Sequence, residues 1–564
     1  MQPRTLCLMT ALGAALALAS APCFAASDLG KLDFPTSAAP AAQEHFVRGV
    51  AALHSFWYDE AADEFRAAEA AEPGFALAYW GEAMTFNHPV WGQEDLAGAR
   101  AALAKLAATS GERAAKAPTE REKMWLAAVE TLYGEGEKPA RDRAYSAAME
   151  TIRSRWPDDV EAGAFYALSL IGPAWVSDGA TFGETRERVL MRAAGVLEEL
   201  FARNPQHPGV VHYLIHSYDD PIHAPLGLRA ARVYAQVAPA AHHALHMPSH
   251  IFVQLGRWPD VVASNEASWA ASVAWTARRK LPEEKKDFHS LSWLSYAYMQ
   301  QGRYGKAQEA LALARQAAQA SPESTQIAGA LDGMEARYLI DTHGDAKLPP
   351  AAVSEGTVKA ADKGSAPAAG AHCGSPMAHA PAADHGGMIF AAGLAAARRG
   401  DTATADAAVA RLRDLAKNAP KGGRGYGSDV TGVMEKEISG VALLAKGKKE
   451  EGLALLAEAA KAEDAMQAPS GPPELLKPAE ELYGEALLDQ GKPDEAAVQF
   501  HRSLQRMPRR SASLLGAARA ATKLGHVDEA RGLYADLTDI WRQADNGVPE
   551  VAEARSHLTA APAR

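Results

Sequence analysis

The fold is decided by the stretch PAEELYGEALLDQGKPDEAAVQFHRSLQRMP, residues 478–508. On both sides of Gly491, apolar residues recur at steps of three and four, which is the spacing of one buried face of an α-helix. Glycine suits the point between them because it has no side chain to oppose the backbone of a tight turn. The stretch therefore predicts two helices joined at Gly491.

This pattern returns with a period of thirty-four residues. It consists of a glycine, an alanine five residues later and an aromatic residue nine residues later, and its clearest copies are Gly491, Ala496 and Phe500, then Gly525, Ala530 and Tyr534. Other copies are centred on Gly256, Gly302, Gly400 and Gly447, and FWYDEAADEFRAAEAAEPG at 56–74 has the same offsets in Ala61, Phe65 and Pro73. The alanine allows close helix approach and the aromatic ring fills the space between helices.

A period of thirty-four residues with these signals resembles the tetratricopeptide repeat (TPR) family. The resemblance covers most of residues 40–545 and is weakest between about residues 90 and 240. It implies an all-α fold, a right-handed superhelix (α-solenoid) of helix-turn-helix pairs. It also implies a concave groove, lined by the first helix of each pair, that binds peptides or partner helices.

The chain divides into a leader, two repeat blocks, a connecting loop and a tail. Residues 1–25 combine Arg4 with a short apolar run and small residues at the end, which is typical of a signal peptide. This predicts an exported protein, periplasmic or secreted, without a transmembrane segment. The predicted blocks are 40–343 and 388–545, with an Ala/Pro/Gly/His-rich loop at 344–387 between them and a tail at 546–564.

Composition narrows the possible partners. The 564 residues carry a formal net charge of −11, which argues against nucleic acid because binding to it needs a basic surface. Of the three cysteines, only Cys373 lies beyond the predicted signal peptide. No internal disulfide is therefore expected, and the core must be stabilised by burial.

Two segments suggest a metal site. HYLIHSYDDP (212–221) and HMPSHIFVQL (246–255) each begin with two histidines four residues apart, and the pairs are thirty-four residues apart. Two histidines at this spacing on a helix can bind one ion, and stacked helices could bring both pairs to the same ion. Imidazole suits zinc, copper or iron. The predicted ligands are His212, His216, His246 and His250, with Asp219 and Asp220 as further ligands or as partners that orient the imidazoles.

Other residues are predicted to line the concave groove. His243 and His289 each stand thirteen residues before a turn glycine, and His54 and His88 are one period apart. Equal offsets predict equivalent positions on stacked helices. The predicted groove residues are Tyr213, His243, His289, His54 and His88.

Two functions follow from the sequence. The first is an exported TPR scaffold that binds a peptide, a protein segment or a small ligand in its groove. The second is a metalloprotein or metal-dependent enzyme that uses the histidine cluster. A purely structural origin also stays open, because repeats duplicate residues by descent and buried histidines often bond to their neighbours. HYLIH and HMPSH lack the glutamate of zinc proteases, so no catalytic set is assigned.

Overall fold

The computed structural model describes residues 26–177, 180–344, 347, 386–418 and 427–559. The signal peptide predicted at 1–25 and most of the loop predicted at 344–387 lie outside these residues. In the described part of the chain, extended structure consists of a two-stranded antiparallel ribbon of β1 (Asn87–His88) and β2 (Gln93–Glu94) and one isolated bridge. The all-α TPR-solenoid fold class is confirmed.

The first part of the chain forms helices α1 to α17. Their bounds are α1 (Pro40–His54), α2 (Tyr58–Ala71), α3 (Ala76–Met84), α4 (Leu96–Leu106), α5 (Ser110–Lys116), α6 (Glu120–Leu132), α7 (Lys138–Arg155), α8 (Val160–Val176), α9 (Arg186–Arg203), α10 (Pro208–Ser217), α11 (Ala224–Val237), α12 (His242–His246), α13 (Pro248–Gln254), α14 (Trp258–Arg279), α15 (Phe288–Gln300), α16 (Tyr304–Ala320) and α17 (Thr325–Asp341).

The second part forms helices α18 to α26. Their bounds are α18 (Gly386–Arg398), α19 (Thr402–Asn418), α20 (Ser428–Ala445), α21 (Lys449–Asp464), α22 (Ala479–Asp489), α23 (Pro493–Arg506), α24 (Ser511–Leu524), α25 (Val527–Ile540) and α26 (Pro549–Thr559). Short 3-10 helices occupy Ala26–Leu29, Pro89–Trp91, Glu283–Lys285 and Trp541–Gln543. Among the described residues, no helix combines the length and the apolar character that crossing a membrane would need.

The turn glycines lie where the sequence predicted them. All six have a left-handed backbone, with φ between 61° and 77°: Gly256, Gly302, Gly400, Gly447, Gly491 and Gly525. Each follows one helix and precedes the next. In the pair α22–α23, the ring of Phe500 packs so closely on Gly484 that a Cβ there would lie 3.0 Å from the ring. The small and large residues of the period therefore have the packing roles expected of them.

The array closes on itself at its C-terminal end. Helices α24 to α26 contribute residues to the same apolar core as helices of the first part of the chain. Trp541 donates from Nε1 to the carbonyl of Gln300 at 3.0 Å, and Trp258 donates from Nε1 to the carbonyl of Arg509 at 2.9 Å. The two repeat blocks therefore share a core.

Candidate metal centre

Helix α10 places two histidines on one buried face. His212 is 0% exposed and His216 is 4% exposed, and their Nε2 atoms lie 3.1 Å apart. The Nδ1 of His212 lies 2.6 Å from the carbonyl oxygen of His54. A carbonyl can only accept, so Nδ1 carries the proton and donates it. The Nε2 of His212 then presents a lone pair toward His216.

A third histidine joins this pair from helix α12. The Nε2 of His243 lies 3.1 Å from the Nε2 of His212. One ligand atom from each of the three side chains lies within 4.8 Å of the others. His212, His216 and His243 are called the first triad.

The second pair spans a helix break without losing its geometry. Helix α12 ends at His246 and α13 begins at Pro248, yet Met247 between them keeps helical angles, φ −52° and ψ −35°. The Nε2 atoms of His246 and His250 lie 3.1 Å apart. Pro248 interrupts the helix as its ring requires, but both histidines stay on the same face.

Both imidazoles of this pair have their Nδ1 protons engaged. His250 donates from Nδ1 to the carboxylate of Asp219 at 2.7 Å. The Nδ1 of His246 lies 2.6 Å from Oδ1 of Asn265, whose amide nitrogen donates to the carbonyl of Val261 at 2.8 Å. That bond leaves Oδ1 as the acceptor, so His246 donates as well. The two Nε2 lone pairs therefore face each other across 3.1 Å.

His289 of helix α15 completes the second triad with His246 and His250. One ligand atom from each of these side chains again lies within 4.8 Å of the others. The ring centroid of His289 is 4.6 Å from that of His246 and 6.3 Å from that of His250. His289 is partly exposed, so the second triad is the one nearer to solvent.

Each triad has an aromatic ring against it. The Phe56 ring lies edge-on to His212 with centroids 4.4 Å apart, and it also contacts the other two histidines of the first triad. Trp293 contacts all three histidines of the second triad, most closely His250 at 4.5 Å between centroids. These rings exclude water and strengthen electrostatic interactions in the cluster.

Burial keeps the imidazoles neutral. It lowers the pKa of His212 and of His289 to about 3. Burial, followed by the effect of neighbouring histidines, lowers the pKa of His243 and of His246 well below the ordinary value of 6.5. A neutral imidazole is the form that binds metal. At neutral pH the rings of these four histidines are therefore uncharged.

The structure groups the four histidines predicted as metal ligands differently from the prediction made from the sequence. The sequence grouped His212, His216, His246 and His250 around one ion, whereas the folded chain assigns each pair to its own triad. Asp219 contacts His250 as an orienting partner. Asp220 lies apart and pairs with Nδ1 of His223 at 2.7 Å.

His54 and Tyr213, two of the predicted groove residues, are buried in the core. The Nδ1 of His54 is 2.9 Å from the Tyr213 hydroxyl, and its Nε2 is 2.7 Å from Glu161. The other oxygen of Glu161 is 2.8 Å from His207. Burial alone would raise the pKa of Glu161, but the two histidines lower it below its usual range. Glu161 already has a hydrogen bond to the ring of His54 and to that of His207, so we interpret these three residues as a structural network.

His88 also departs from its predicted place. It lies in strand β1, whereas His54 ends helix α1, so one repeat period does not make their positions equivalent. The ring of His88 stacks on Tyr58 with centroids 3.9 Å apart. Burial lowers the pKa of His88 to about 4. The ring thus packs against the start of helix α2.

Sequence reasoning did not join His243 and His289 to the histidine pairs. The signal was present, since both stand thirteen residues before a turn glycine, and each supplies the third member of a triad. Asn265 and Trp293 were also missed, because nothing in their local sequence distinguishes them from ordinary packing residues. Phe56 was missed although it stands at the turn-glycine offsets from Ala61 and Phe65.

A separate concave groove lies mainly in the C-terminal part and also takes lining residues from α15, α16 and α17; it is called the C-terminal groove. It has a volume of about 550 Å³ and lies among helices α15, α17, α18, α20, α22 and α24. Its lining mixes apolar residues with charged ones of both signs, including Asp341, Arg398, Glu485, Asp489 and Arg519. None of the predicted groove residues lines it.

Comparisons with known proteins address the fold. No curated protein matches the chain. Among solved structures, similarity is found to the P58(IPK) TPR domain (11% identity, 93% of this chain and 99% of that chain, TM-score 0.21) and to yeast Tom70 (10%, 92% and 95%, 0.27). Human IFIT1, solved as a dimer with m7Gppp-AAAA, is similar at 11% identity over 93% of this chain and 89% of that chain, with a TM-score of 0.33. Residues 487–561 match the tetratricopeptide repeat family, which confirms the predicted repeats in the C-terminal part of the chain.

Proposed function

We propose that this chain is an exported metal-binding protein in which a helical-repeat scaffold holds zinc, copper or iron on buried histidines. The observation that carries the proposal is the pair His246 and His250. Both Nδ1 atoms donate to fixed acceptors, and the two Nε2 atoms lie 3.1 Å apart. A metal ion between them relieves the repulsion of the lone pairs.

The distances support a shared ion. Ligand bonds of about 2.0–2.1 Å in a tetrahedral site place neighbouring nitrogens about 3.3 Å apart. The observed 3.1 Å separations in both triads are close to that value. Metal-bound histidines usually donate their other ring proton to a carboxylate or carbonyl. His250 does so to Asp219 and His212 does so to the carbonyl of His54.

Elemental analysis of the purified mature protein tests the proposal. We expect at least one equivalent of a transition metal per chain, lost in His246→Ala without loss of helical circular dichroism. Adding zinc or copper to chelator-treated protein should raise the melting temperature, because a ligand that binds only the folded state stabilises it. His223→Ala removes a histidine outside both triads and serves as the control. Metal-free protein that gains no stability from either ion contradicts the proposal.

Export is part of the same proposal and has its own test. The support is the sequence of residues 1–25, with Arg4 before an apolar run and small residues at its end. We expect the protein expressed from its full sequence in a bacterium to be found outside the cytoplasm. Its amino-terminal sequence should then begin close to residue 26. Full-length protein retained in the cytoplasm contradicts export.

The C-terminal groove favours a second candidate, the binding of a peptide or protein segment by the scaffold. A concave surface of this size with charges of both signs suits an extended polar chain. Asp489→Arg and Tyr304→Ala alter the groove, whereas Leu313→Ala alters an exposed position on α16 and is the control. Recovery of a specific partner from envelope extract should fail for the groove variants alone. Equal recovery by all three contradicts this candidate.

A further inference from the structure

The two triads are neighbours in the folded chain. The ring centroids of His216 and His250 are 6.0 Å apart, and those of His243 and His246 are 6.2 Å apart. The separation inside the first triad is similar, with 4.8 Å between His212 and His216. The six imidazoles therefore form one continuous cluster of two equivalent halves.

The halves are built in the same way. Each combines two histidines four residues apart with a third that stands thirteen residues before a turn glycine. Helix α12 belongs to both halves, because His243 completes the first triad and His246 begins the second. Its length fixes the spacing between the halves. An ion in one triad would lie directly beside an ion in the other.

We infer that the six histidines hold two copper ions as one dinuclear centre, one ion per triad, with a small oxygen ligand such as hydroxide between them. The inference rests on the proposed function, since both triads must bind metal. Both ligand sets consist of imidazole alone, and among divalent first-row metals copper binds nitrogen donors most tightly. Asp219 is occupied by His250 and leaves each set without an oxygen ligand from the protein.

The positive charge of two neighbouring metal ions is the reason for including a bridging ligand between them. Two dications a few ångströms apart repel strongly in a buried site, and an anion between them reduces that repulsion. The surroundings contribute negative charge, because Asp219 and Asp287 are 5% and 2% exposed. Asp219 lies 2.7 Å from Nδ1 of His250, and Asp287 lies 3.5 Å from Nδ1 of His242. Two buried carboxylates thus offset part of the charge of two ions.

The second triad offers the entry for the bridging ligand. His289 is the partly exposed member of the cluster. The segment between α21 and α22 passes over this side, where Gln254 donates from Nε2 to the carbonyl of Pro469 at 2.8 Å and Gly471 packs against the ring of Trp293. His289 thus gives the second triad its exposed surface, whereas the ring of Phe56 packs over the first triad.

Copper titration of the full mature chain, followed by electron paramagnetic resonance, tests the pair. We expect two Cu²⁺ ions per chain. After the second ion binds, the integrated signal should fall well below two spins and a half-field transition should appear, because two coupled ions share their spins. His289→Ala should bind one ion and give one full, uncoupled spin. His223→Ala should behave as the unaltered protein does.

The outcomes separate this inference from the proposed function. Two ions with two independent spins, or a single ion per chain, overturn the pair but leave metal binding intact. No bound copper overturns the pair, and absence of all metal also overturns the proposed function. Circular dichroism shows whether His289→Ala is folded. If it is not, His243→Ala removes the ion from the other triad and must give the same single-ion spectrum.

Discussion

Phe56 takes up a backbone conformation that the other repeats reserve for glycine. It stands five residues before Ala61 and nine before Phe65, the offsets at which Gly491 and the other turn glycines stand. Its φ is 52°, in the left-handed region that costs a side chain of this size about 1–2 kcal/mol. Strain of this kind persists where the residue has another role. Here the ring packs over the first triad, which the glycine of other repeats could not do.

Substitutions at Phe56 should therefore reverse the usual order of alanine and glycine. Both Phe56→Ala and Phe56→Gly lose the packing of the ring, but glycine also relieves the left-handed backbone. We expect Phe56→Gly to have the higher free energy of unfolding, by about 1 kcal/mol. At Phe65, inside helix α2, glycine should instead be less stable than alanine by about 1 kcal/mol. Denaturant unfolding of the four variants measures this, and the same order at both sites would refute the strain.

Asp219 accepts the Nδ1 proton of His250 and would act on the proposed metal centre through that ring. Asp219→Asn keeps an acceptor for the Nδ1 proton but removes the negative charge that makes His250 a stronger ligand. We expect metal affinity at the second triad to fall by about tenfold to a hundredfold, with little change in the free energy of unfolding. Competition with a chromophoric chelator measures the affinity. Asp220→Asn changes a carboxylate that pairs with His223 and should leave the affinity unchanged. Equal losses in both variants would count against the assignment.

The sequence was most informative about the helices and how they pair along the chain. Period and turn chemistry are local, so the glycine at residue 491 and its counterparts predicted the helix pairs correctly. The His212–His216 and His246–His250 pairs were predicted for the same reason. The grouping of each pair into its own triad depends on how α10, α12 and α15 stack, because His243 and His289 come from other helices. The position of Asn265 has no local sequence signal, whereas Phe56 stands at the offsets of a turn glycine.

Helix α22 carries a pH-dependent contribution to stability. Burial, followed by the nearby Glu463 carboxylate, raises the pKa of Glu480 from 4.5 to about 7. The folded chain then holds a proton that the unfolded chain has lost, so stability falls as pH rises from about 4.5 to 7. Glu480→Gln removes this loss. We expect it to raise the free energy of unfolding at pH 8 by on the order of 1 kcal/mol.

Unfolding in denaturant at pH 4 and pH 8 measures the effect of Glu480→Gln. At pH 4 both states of the unaltered chain are mostly protonated at this position, so the variant should differ little from it. Glu495→Gln, on helix α23, changes a carboxylate whose ion pair with Lys492 is exposed and is the control. A stabilisation by Glu480→Gln that is equally large at both pH values would show that titration is not its cause.

The closed array places the centre between parts of the chain that are distant in sequence. The triads come from residues 212–289, yet the segment over their open side comes from 465–478. Nearby, Arg510 is bonded to Glu481 at 2.8 Å and to Asp341 at 3.3 Å. The sequence predicted two blocks and a loop between them. It did not predict this closure, because contacts such as Gln254–Pro469 and Trp541–Gln300 join residues more than two hundred positions apart.

Cleavage between the blocks should therefore leave them associated. In a chain with a specific protease site introduced between residues 348 and 385 and cut after folding, we expect both fragments to elute together in gel filtration. The fragments should stay together because α24 to α26 make buried contacts with α15 and α16. Among these contacts, the Trp541 indole is hydrogen-bonded to Gln300. Trp541→Ala removes a 5% exposed ring from this interface and should cost about 3–5 kcal/mol, enough to separate the fragments at micromolar concentration. Val527→Ala changes a 62% exposed side chain on α25 and should leave the two fragments together. Separation of the fragments of the unaltered chain would show that the blocks are independent units.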